Sequence, residues 1–136
     1  MWALGWHQCR YGYNGTADLE MSIQGYKDFN LPLDAQWADI DYMHDYRNFE
    51  VNHDKFSNLS NFIDKIHDEG KHFIPIVDSG IAQRKGGNYS AYNSGVGRDV
   101  FIKAYKDGPD YTGFAWPNDV VFPDYFREAT NQWWGE

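Results

Sequence analysis

The fold is decided by the stretch Gln36-Trp37-Ala38-Asp39-Ile40-Asp41-Tyr42-Met43, in which two acids follow an aromatic and apolar run. The run predicts a buried β-strand over about residues 33–40. A charged carboxylate in a buried strand costs desolvation energy, so Asp39 and Asp41 need a partner, solvent or a ligand. Because side chains alternate along a strand, the spacing of two predicts that both acids lie on the same side.

Other roles for these two acids are open. In the simplest one, both carboxylates cap the following loop or pair with nearby Arg or Lys side chains. In another, they bind a divalent cation together with His44 or Asp45, because hard cations prefer carboxylate ligands. The chain has neither the ligand spacing of an EF-hand nor a His-x-x-x-His zinc spacing. We therefore assign no metal site, and the sequence gives no reason to expect a cofactor.

The composition indicates one modest globular core, since 42% of the 136 residues are hydrophobic. A formal net charge of −8 argues against nucleic acid as a partner, because phosphates would be repelled. No apolar run approaches the ~20 residues that span a bilayer. Aromatic residues make up 18% of the chain and often stand beside Gly, Asp or Asn. Such surfaces suit sugars, although an aromatic-rich core is the alternative.

The features that bear on location are few. Cys9 is the single cysteine of the sequence, so an intrachain disulfide is excluded. Asn14, Asn58 and Asn88 each begin an Asn-x-Ser/Thr glycosylation triplet, which favours a lumenal or secreted protein. Residues 1–6 lack the charged start and apolar centre of a signal peptide, so we expect any signal to lie outside this chain.

The periodicity of the chain predicts alternating strands and helices. We expect strands at about 2–8, 33–40 and 73–78, helices at about 17–29 and 59–69, and an exposed excursion at 42–53. Thr16 is expected to cap the first helix, and Gly70 to close the second. Residues 79–113 are expected to be loop-rich with a short strand at 100–102, followed by an extended piece at 114–117 and a helix from Phe126.

This alternation is typical of βα units with a parallel sheet, in which ligands bind beyond the carboxyl ends of the strands. We therefore predict the α/β class and, because a closed (β/α)8 barrel needs about 250 residues, a partial TIM barrel. It would contain the first three or so βα units and a long loop insertion. A complete small open-sheet domain is the alternative, but it would leave Trp133 and Trp134 exposed.

Five ordered blocks then carry a resemblance to a known family. They are Cys9-Arg10-Tyr11-Gly12-Tyr13, Leu31-Pro32-Leu33-Asp34, Trp37-Ala38-Asp39-Ile40-Asp41-Tyr42-Met43, Ile76-Val77-Asp78, and Trp116-Pro117 with Phe122-Pro123-Asp124-Tyr125. In this order they resemble the first part of the catalytic barrel of glycoside hydrolase family 31, the family of lysosomal α-glucosidase, maltase-glucoamylase and sucrase-isomaltase. The resemblance identifies residues 1–136 as the N-terminal portion of that barrel.

The resemblance implies a retaining, exo-acting α-glucosidase with an Asp nucleophile and an Asp acid/base. It places the nucleophile in a Trp-x-Asp-Met segment on the following strand, and this sequence reaches Trp133-Trp134-Gly135-Glu136 before such a segment. We therefore expect this chain alone to be inactive. Its expected partners are an α-glucoside oligosaccharide and the remainder of the catalytic domain, with no nucleic acid and no membrane span.

Individual roles also follow from the resemblance. Asp39 matches the family Asp that bonds the hydroxyls of the terminal glucose. Tyr11, Ile76 and Trp116 match wall residues of the sugar pocket, and Asp41 and Asp78 resemble acids that orient their neighbours. No catalytic residue is assigned in this chain.

The segment 41–43 is similar to the lysosomal and intestinal branch, which favours terminal α-1,4-linked glucose of maltose-type substrates and a lysosomal, secreted or other lumenal location. A non-catalytic sugar-binding or interaction module of the same fold is the alternative.

Overall fold

The computed structural model describes residues 1–84 and 87–136. The chain divides into two compact units, one formed by residues 1–46 and 50–76 and the other by residues 47–49 and 77–136. Within the described residues, every helix is too short or too polar to traverse a lipid bilayer.

The first unit contains a three-stranded parallel sheet in the order β1-β2-β3, flanked by two helices. Its elements are β1 (His7–Gln8), α1 (Thr16–Asp28), β2 (Ala35–Ala38), α2 (Leu59–Asp68) and β3 (His72–Pro75). In the register of the sheet, His7 pairs with Ala35, and Ala35 pairs with His72. The predicted βα alternation with parallel strands is therefore present, and the strands of the described residues form open sheets.

The core of this unit lies between the sheet and one face of each helix. Apolar residues at helical spacing form the buried stripe of α2, namely Leu59, Phe62 and Ile66. Leu19 and Ile23 supply the corresponding face of α1. The α2 bounds agree with the sequence prediction to within one residue, and Gly70 closes that helix with φ of +75°. Periodicity located both helices because each depends on a single continuous apolar face.

The strands of the first unit are shorter than predicted. Residues 2–4 form a 3-10 turn, so the first strand is His7–Gln8 alone. The second strand ends at Ala38, and the next residues, Ile40–Tyr42, form another 3-10 turn. The prediction that Asp39 and Asp41 share one side of a strand is therefore wrong, because both lie beyond the strand.

Three further predictions for this region need correction. Thr16 does not cap α1, because Gly15 occupies the cap position. Thr16 is instead the first residue of the helix, and it is buried. Strand β3 ends at Pro75, three residues before Asp78. The excursion at 42–53 is partly buried, since Tyr42, Met43 and Asn48 are all less than 10% exposed.

The second unit contains an antiparallel sheet in the order β4-β6-β5 and two helices. Its elements are β4 (Ile81–Ala82), α3 (Ser90–Gly97), β5 (Thr112–Ala115), β6 (Asn118–Val121) and α4 (Glu128–Trp134). Its core joins Ile81, Tyr89, Phe101, Val121 and Trp133. The sequence prediction missed α3 and β6, and it placed the start of the last helix two residues early.

Two other expectations for the second unit are corrected by the structure. Residues 100–102 form no strand but an isolated bridge between Phe101 and Pro123. Trp133 is buried, and its indole N–H donates to Ser94 Oγ at 2.8 Å. The argument that an open-sheet domain of these residues would leave Trp133 exposed is therefore wrong, because α3 supplies a hydrogen-bond acceptor for it; Trp134 is half-buried.

Candidate functional site

Asp39 follows β2 directly and caps the 3-10 turn after it. Its Oδ1 accepts a hydrogen bond from the Ile40 backbone N–H at 2.7 Å, and its side chain is half-buried. The simple interpretation of Asp39 as a cap is therefore confirmed. Capping uses one carboxylate oxygen, and a carboxylate offers about four acceptor positions, so the cap is compatible with sugar binding.

Asp41 ties the loop after β1 to the loop after β2. Its Oδ2 accepts a hydrogen bond from the Gly12 backbone N–H at 2.8 Å. Gly12 has φ of +103°, a conformation that favours glycine, and its carbonyl accepts from Arg10 at 2.8 Å. The carboxylate therefore holds the loop that carries Tyr11, which fits the predicted orienting role of this acid.

Tyr11 lies in that loop and contacts Tyr46. Its ring is 60% exposed, and its hydroxyl lies 3.5 Å from the hydroxyl of Tyr46. The interaction with Tyr46 raises the pKa of Tyr11, and the negative charges of Asp41 and Asp39 add to the rise. Tyr11, Asp39 and Asp41 are therefore close enough to share one electrostatic environment at the carboxyl end of the sheet.

Cys9 follows β1 directly and lies near enough to Asp39 for the two side chains to interact electrostatically. Its pKa is raised by partial burial and then by the negative charge of Asp39. Both effects disfavour the thiolate, so the free thiol of Cys9 is a poor nucleophile at neutral pH.

Ile76 lies beside the same edge of the sheet. Its backbone N–H donates to the Ala38 carbonyl at 2.9 Å, and its own carbonyl accepts from the Tyr42 hydroxyl at 2.8 Å. The side chain is partly buried against the hydrophobic core. Tyr11, Asp39, Asp41 and Ile76 therefore all belong to the first unit and lie just beyond its parallel strands.

The two remaining predicted residues belong to the second unit. Trp116 lies in the turn between β5 and β6 and is 67% exposed, so it belongs to a hairpin turn and not to the predicted strand. The backbone N–H of Asp78 donates to Asn48 Oδ1 at 2.9 Å, and its carbonyl accepts from Asn48 Nδ2 at 2.7 Å. This pairing fixes the chain around Asp78.

Asn48 is a structural residue that the sequence analysis missed. It is 2% exposed, and its side-chain amide also donates to the Gly80 carbonyl at 3.1 Å, while its backbone carbonyl accepts from the Tyr89 hydroxyl at 3.0 Å. A lone Asn in a polar stretch gives no signal of such burial. Tyr46 was missed for a similar reason, because its partner Tyr11 is 35 residues away.

The asparagines of the three glycosylation triplets lie at the surface. Asn14, Asn58 and Asn88 are each exposed, and the amide of Asn14 donates to Asp18 at 3.1 Å. Across residues 1–84 and 87–136, His, Cys, Asp and Glu form no group of three that could hold a metal ion.

A parallel sheet with polar side chains just beyond its strand ends is typical of the α/β class, in which ligands bind at that edge. Residues 1–136 match the family described as "Glycosyl hydrolases family 31 TIM-barrel domain". The chain therefore belongs to glycosyl hydrolase family 31, as its motifs predicted.

Its similarity to named proteins agrees with this assignment. The chain is 39% identical over 137 residues to an alpha-glucosidase of Aspergillus niger, covering 96% of this chain and 14% of that protein. It is 36% identical over 134 residues to the lysosomal alpha-glucosidase of Mus musculus, covering 98% of this chain and 14% of that protein. The chain thus spans about one seventh of the length of these relatives.

Solved structures share the fold. An ER glucosidase II heterodimeric complex aligns with a TM-score of 0.91 and 28% identity over 98% of this chain and 14% of that one. A family 31 alpha-glucosidase from Bacteroides thetaiotaomicron aligns with a TM-score of 0.81 and 35% identity, covering 99% of this chain and 22% of that one. The open parallel sheet described above therefore corresponds to part of a TIM-barrel domain.

Proposed function

We propose that this chain forms one wall of the terminal-glucose site of a longer, exo-acting retaining α-glucosidase. The observation that carries the proposal is the convergence of Asp39, Asp41 and Tyr11 at the carboxyl end of the parallel sheet. TIM-barrel active sites lie at that end of their strands. The names of relatives and structural neighbours, which are α-glucosidases, support the choice of substrate class.

In this proposal, Asp39 anchors the terminal glucose. A carboxylate that accepts bonds from two sugar hydroxyls makes charge-assisted hydrogen bonds, which are shorter and stronger than neutral ones. Tyr11 and Ile76 supply wall surface, and Asp41 holds the loop that carries Tyr11. The family resemblance proposes Trp116 as a further wall residue and Asp78 as an acid that orients its neighbours. These interactions fix the orientation of the sugar ring before reaction.

The bond-breaking groups are proposed to lie elsewhere in the longer protein. Retaining hydrolysis requires a nucleophilic carboxylate and an acid/base about 5–5.5 Å apart across the scissile bond. The printed sequence has no Trp-x-Asp-Met segment. The 136-residue chain alone is therefore expected to release no glucose, and the remainder of the catalytic domain is its proposed partner.

The proposed substrate is a terminal α-1,4-linked glucose of maltose-type oligosaccharides, and the proposed compartment is lumenal or secreted. Identity is 36% to the mouse lysosomal enzyme and 28% to the ER glucosidase II structure, which supports the maltase-like branch. The exposed positions of Asn14, Asn58 and Asn88 are compatible with glycosylation in such a compartment.

The test uses the full-length protein that contains this chain, with maltose as substrate. NMR monitors the released glucose during the first minutes of the reaction. A retaining α-glucosidase releases the α-anomer of glucose first. Initial release of the β-anomer would contradict the retaining mechanism. Binding of maltose without any hydrolysis would favour the non-catalytic module.

A further inference from the structure

The Tyr11 and Tyr46 hydroxyls form an unusual pair at the rim of the candidate site. Their oxygens are 3.5 Å apart, whereas a strong O–H···O hydrogen bond measures about 2.7–2.8 Å. A third hydroxyl placed beside them can therefore reach both oxygens at normal hydrogen-bond distance. A pair at this spacing is suited to receive a polar group of a ligand.

Both rings remain accessible beside the pair. Tyr11 is 60% exposed and Tyr46 is 40% exposed, so a large part of each residue is accessible to a ligand. An aromatic face packs against the CH face of a sugar ring, and a phenol bonds its hydroxyls. The chemistry of both groups therefore favours a carbohydrate over an apolar ligand.

The backbone holds Tyr46 in a costly conformation. Asp45 and Tyr46 have φ of +50° and +57°, in the left-handed region that bulky residues rarely occupy. The base of their loop is fixed by hydrogen bonds from His44 N–H to the Glu50 carbonyl and from Asn52 N–H to the Tyr42 carbonyl, both 2.8 Å. Strain of this kind, held by a fixed framework, is typical of functional positions.

We propose that Tyr46 is a further substrate-contacting residue, whose hydroxyl shares one sugar hydroxyl with Tyr11. The inference rests on the proposed function, because it places Tyr46 at the rim of the same glucose site. Tyr46 contributes to substrate affinity and not to bond breaking, since its role is a hydrogen bond and a ring contact made before reaction.

The experiment uses the full-length protein with maltose as substrate and two variants of Tyr46. Tyr46→Phe removes only the hydroxyl, and we expect a KM about five- to tenfold higher with kcat within about twofold. Tyr46→Asn suits the left-handed backbone but lacks the ring, so we expect a larger rise in KM with an equal or higher Tm. The Ki for glucose should rise in parallel with the KM.

The controls separate the possible outcomes. Tyr105→Phe, at an exposed tyrosine of the second unit, should leave KM unchanged. If the wild type is active and Asp39→Ala is not, while both Tyr46 variants keep the wild-type KM, the inference is wrong and the proposed function stands. A wild-type KM in Tyr46→Asn alone would show that the Tyr46 ring makes no contact with the substrate, and would also overturn the inference. A wild type that releases no glucose would overturn both proposals.

Discussion

The Asp41 carboxylate accepts a hydrogen bond from the Gly12 backbone N–H at 2.8 Å, although the two residues are 29 positions apart. This bond joins the loop after β1 to the loop after β2. It sets the position of Tyr11, which precedes Gly12. Asp41 can therefore affect sugar binding through Tyr11 without contacting the sugar itself.

Loss of that bond should loosen the Tyr11 loop. In the full-length protein, Asp41→Ala leaves the partly buried Gly12 N–H without its acceptor, which costs about 1–3 kcal/mol. We expect a higher KM for maltose and a lower Tm. Asp41→Asn keeps a carbonyl acceptor at the same position, so its KM and Tm should both stay close to those of the wild type. Equal losses in the two variants would show that charge, and not the hydrogen bond, is what Asp41 contributes.

Asn48 should be among the positions of the second unit that tolerate change least. Its amide donates to the carbonyls of Asp78 and Gly80, and its Oδ1 accepts from the Asp78 N–H. Asn48→Ala removes partners from buried groups, so we expect a loss of about 2–4 kcal/mol in the free energy of unfolding. Asn48→Asp would place a charge against two carbonyls and should destabilise more. Denaturant unfolding measures the stability of both variants. If Asn48→Asp were as stable as the wild type, the assigned hydrogen bonds would be contradicted.

Two glycines of α3 offer a matched comparison. A Cβ at Gly95 would lie within 2.8 Å of two Phe101 ring carbons, whereas a Cβ at Gly97 meets nothing within 4 Å. Because Phe101 is buried, Gly95→Ala should destabilise by about 1–3 kcal/mol through overpacking. Gly97→Ala should be neutral or stabilising by up to about 1 kcal/mol, since alanine favours the helix. Thermal unfolding of both variants tests the packing of α3, and equal effects would count against it.

A pH dependence follows from Glu69, which bonds Lys27 at 2.7 Å and Lys71 at 2.9 Å. Bonds from Lys27 and then Lys71 lower the pKa of Glu69 from 4.5 to about 2. Since the folded pKa lies below the unfolded one, the stabilisation is present above pH 4.5 and is lost as the pH falls toward 2. Solvent screening limits its size to about 1 kcal/mol or less.

The measurement is the Tm difference between the wild type and Glu69→Gln at a series of pH values. We expect the difference to be greatest above pH 4.5 and to vanish near pH 2. Glu20→Gln removes a looser contact with Lys65, at 3.7 Å, and should have the smaller effect. A difference that stays constant with pH would exclude the ionised carboxylate of Glu69 as its cause.

The sequence predicted the helices of the first unit well because each has one apolar face, as Leu59, Phe62 and Ile66 illustrate. It missed α3 because Ser90–Gly97 has serine or glycine at four of its eight positions and little apolar periodicity. That helix depends on tertiary packing, in which Tyr92 stacks on Phe101 with ring centroids 6.1 Å apart. Local propensity contains no information about such a contact.

For the candidate site, the sequence proposed residues but gave no geometry. The motifs proposed Asp39, Asp41 and Tyr11, yet the predicted strand ran through Asp39 to about residue 40 and placed both acids on one side of it. Asp39 ends the strand instead, because its carboxylate caps a 3-10 turn and satisfies the Ile40 N–H. Contacts between loops, such as Asp41 with Gly12 or Tyr46 with Tyr11, depend on how strands β1 and β2 align, so they required the structure.

The central claim is that Asp39 anchors the terminal glucose, and steady-state kinetics of the full-length protein on maltose test it most directly. Removal of its charge-assisted hydrogen bonds in Asp39→Ala should lower kcat/KM at least about 100-fold. Asp39→Asn keeps a capping oxygen, so its Tm should match the wild type while kcat/KM still falls more than about tenfold. Asp64→Ala, at an exposed acid of α2, should change nothing. Wild-type kcat/KM in both Asp39 variants would contradict the account.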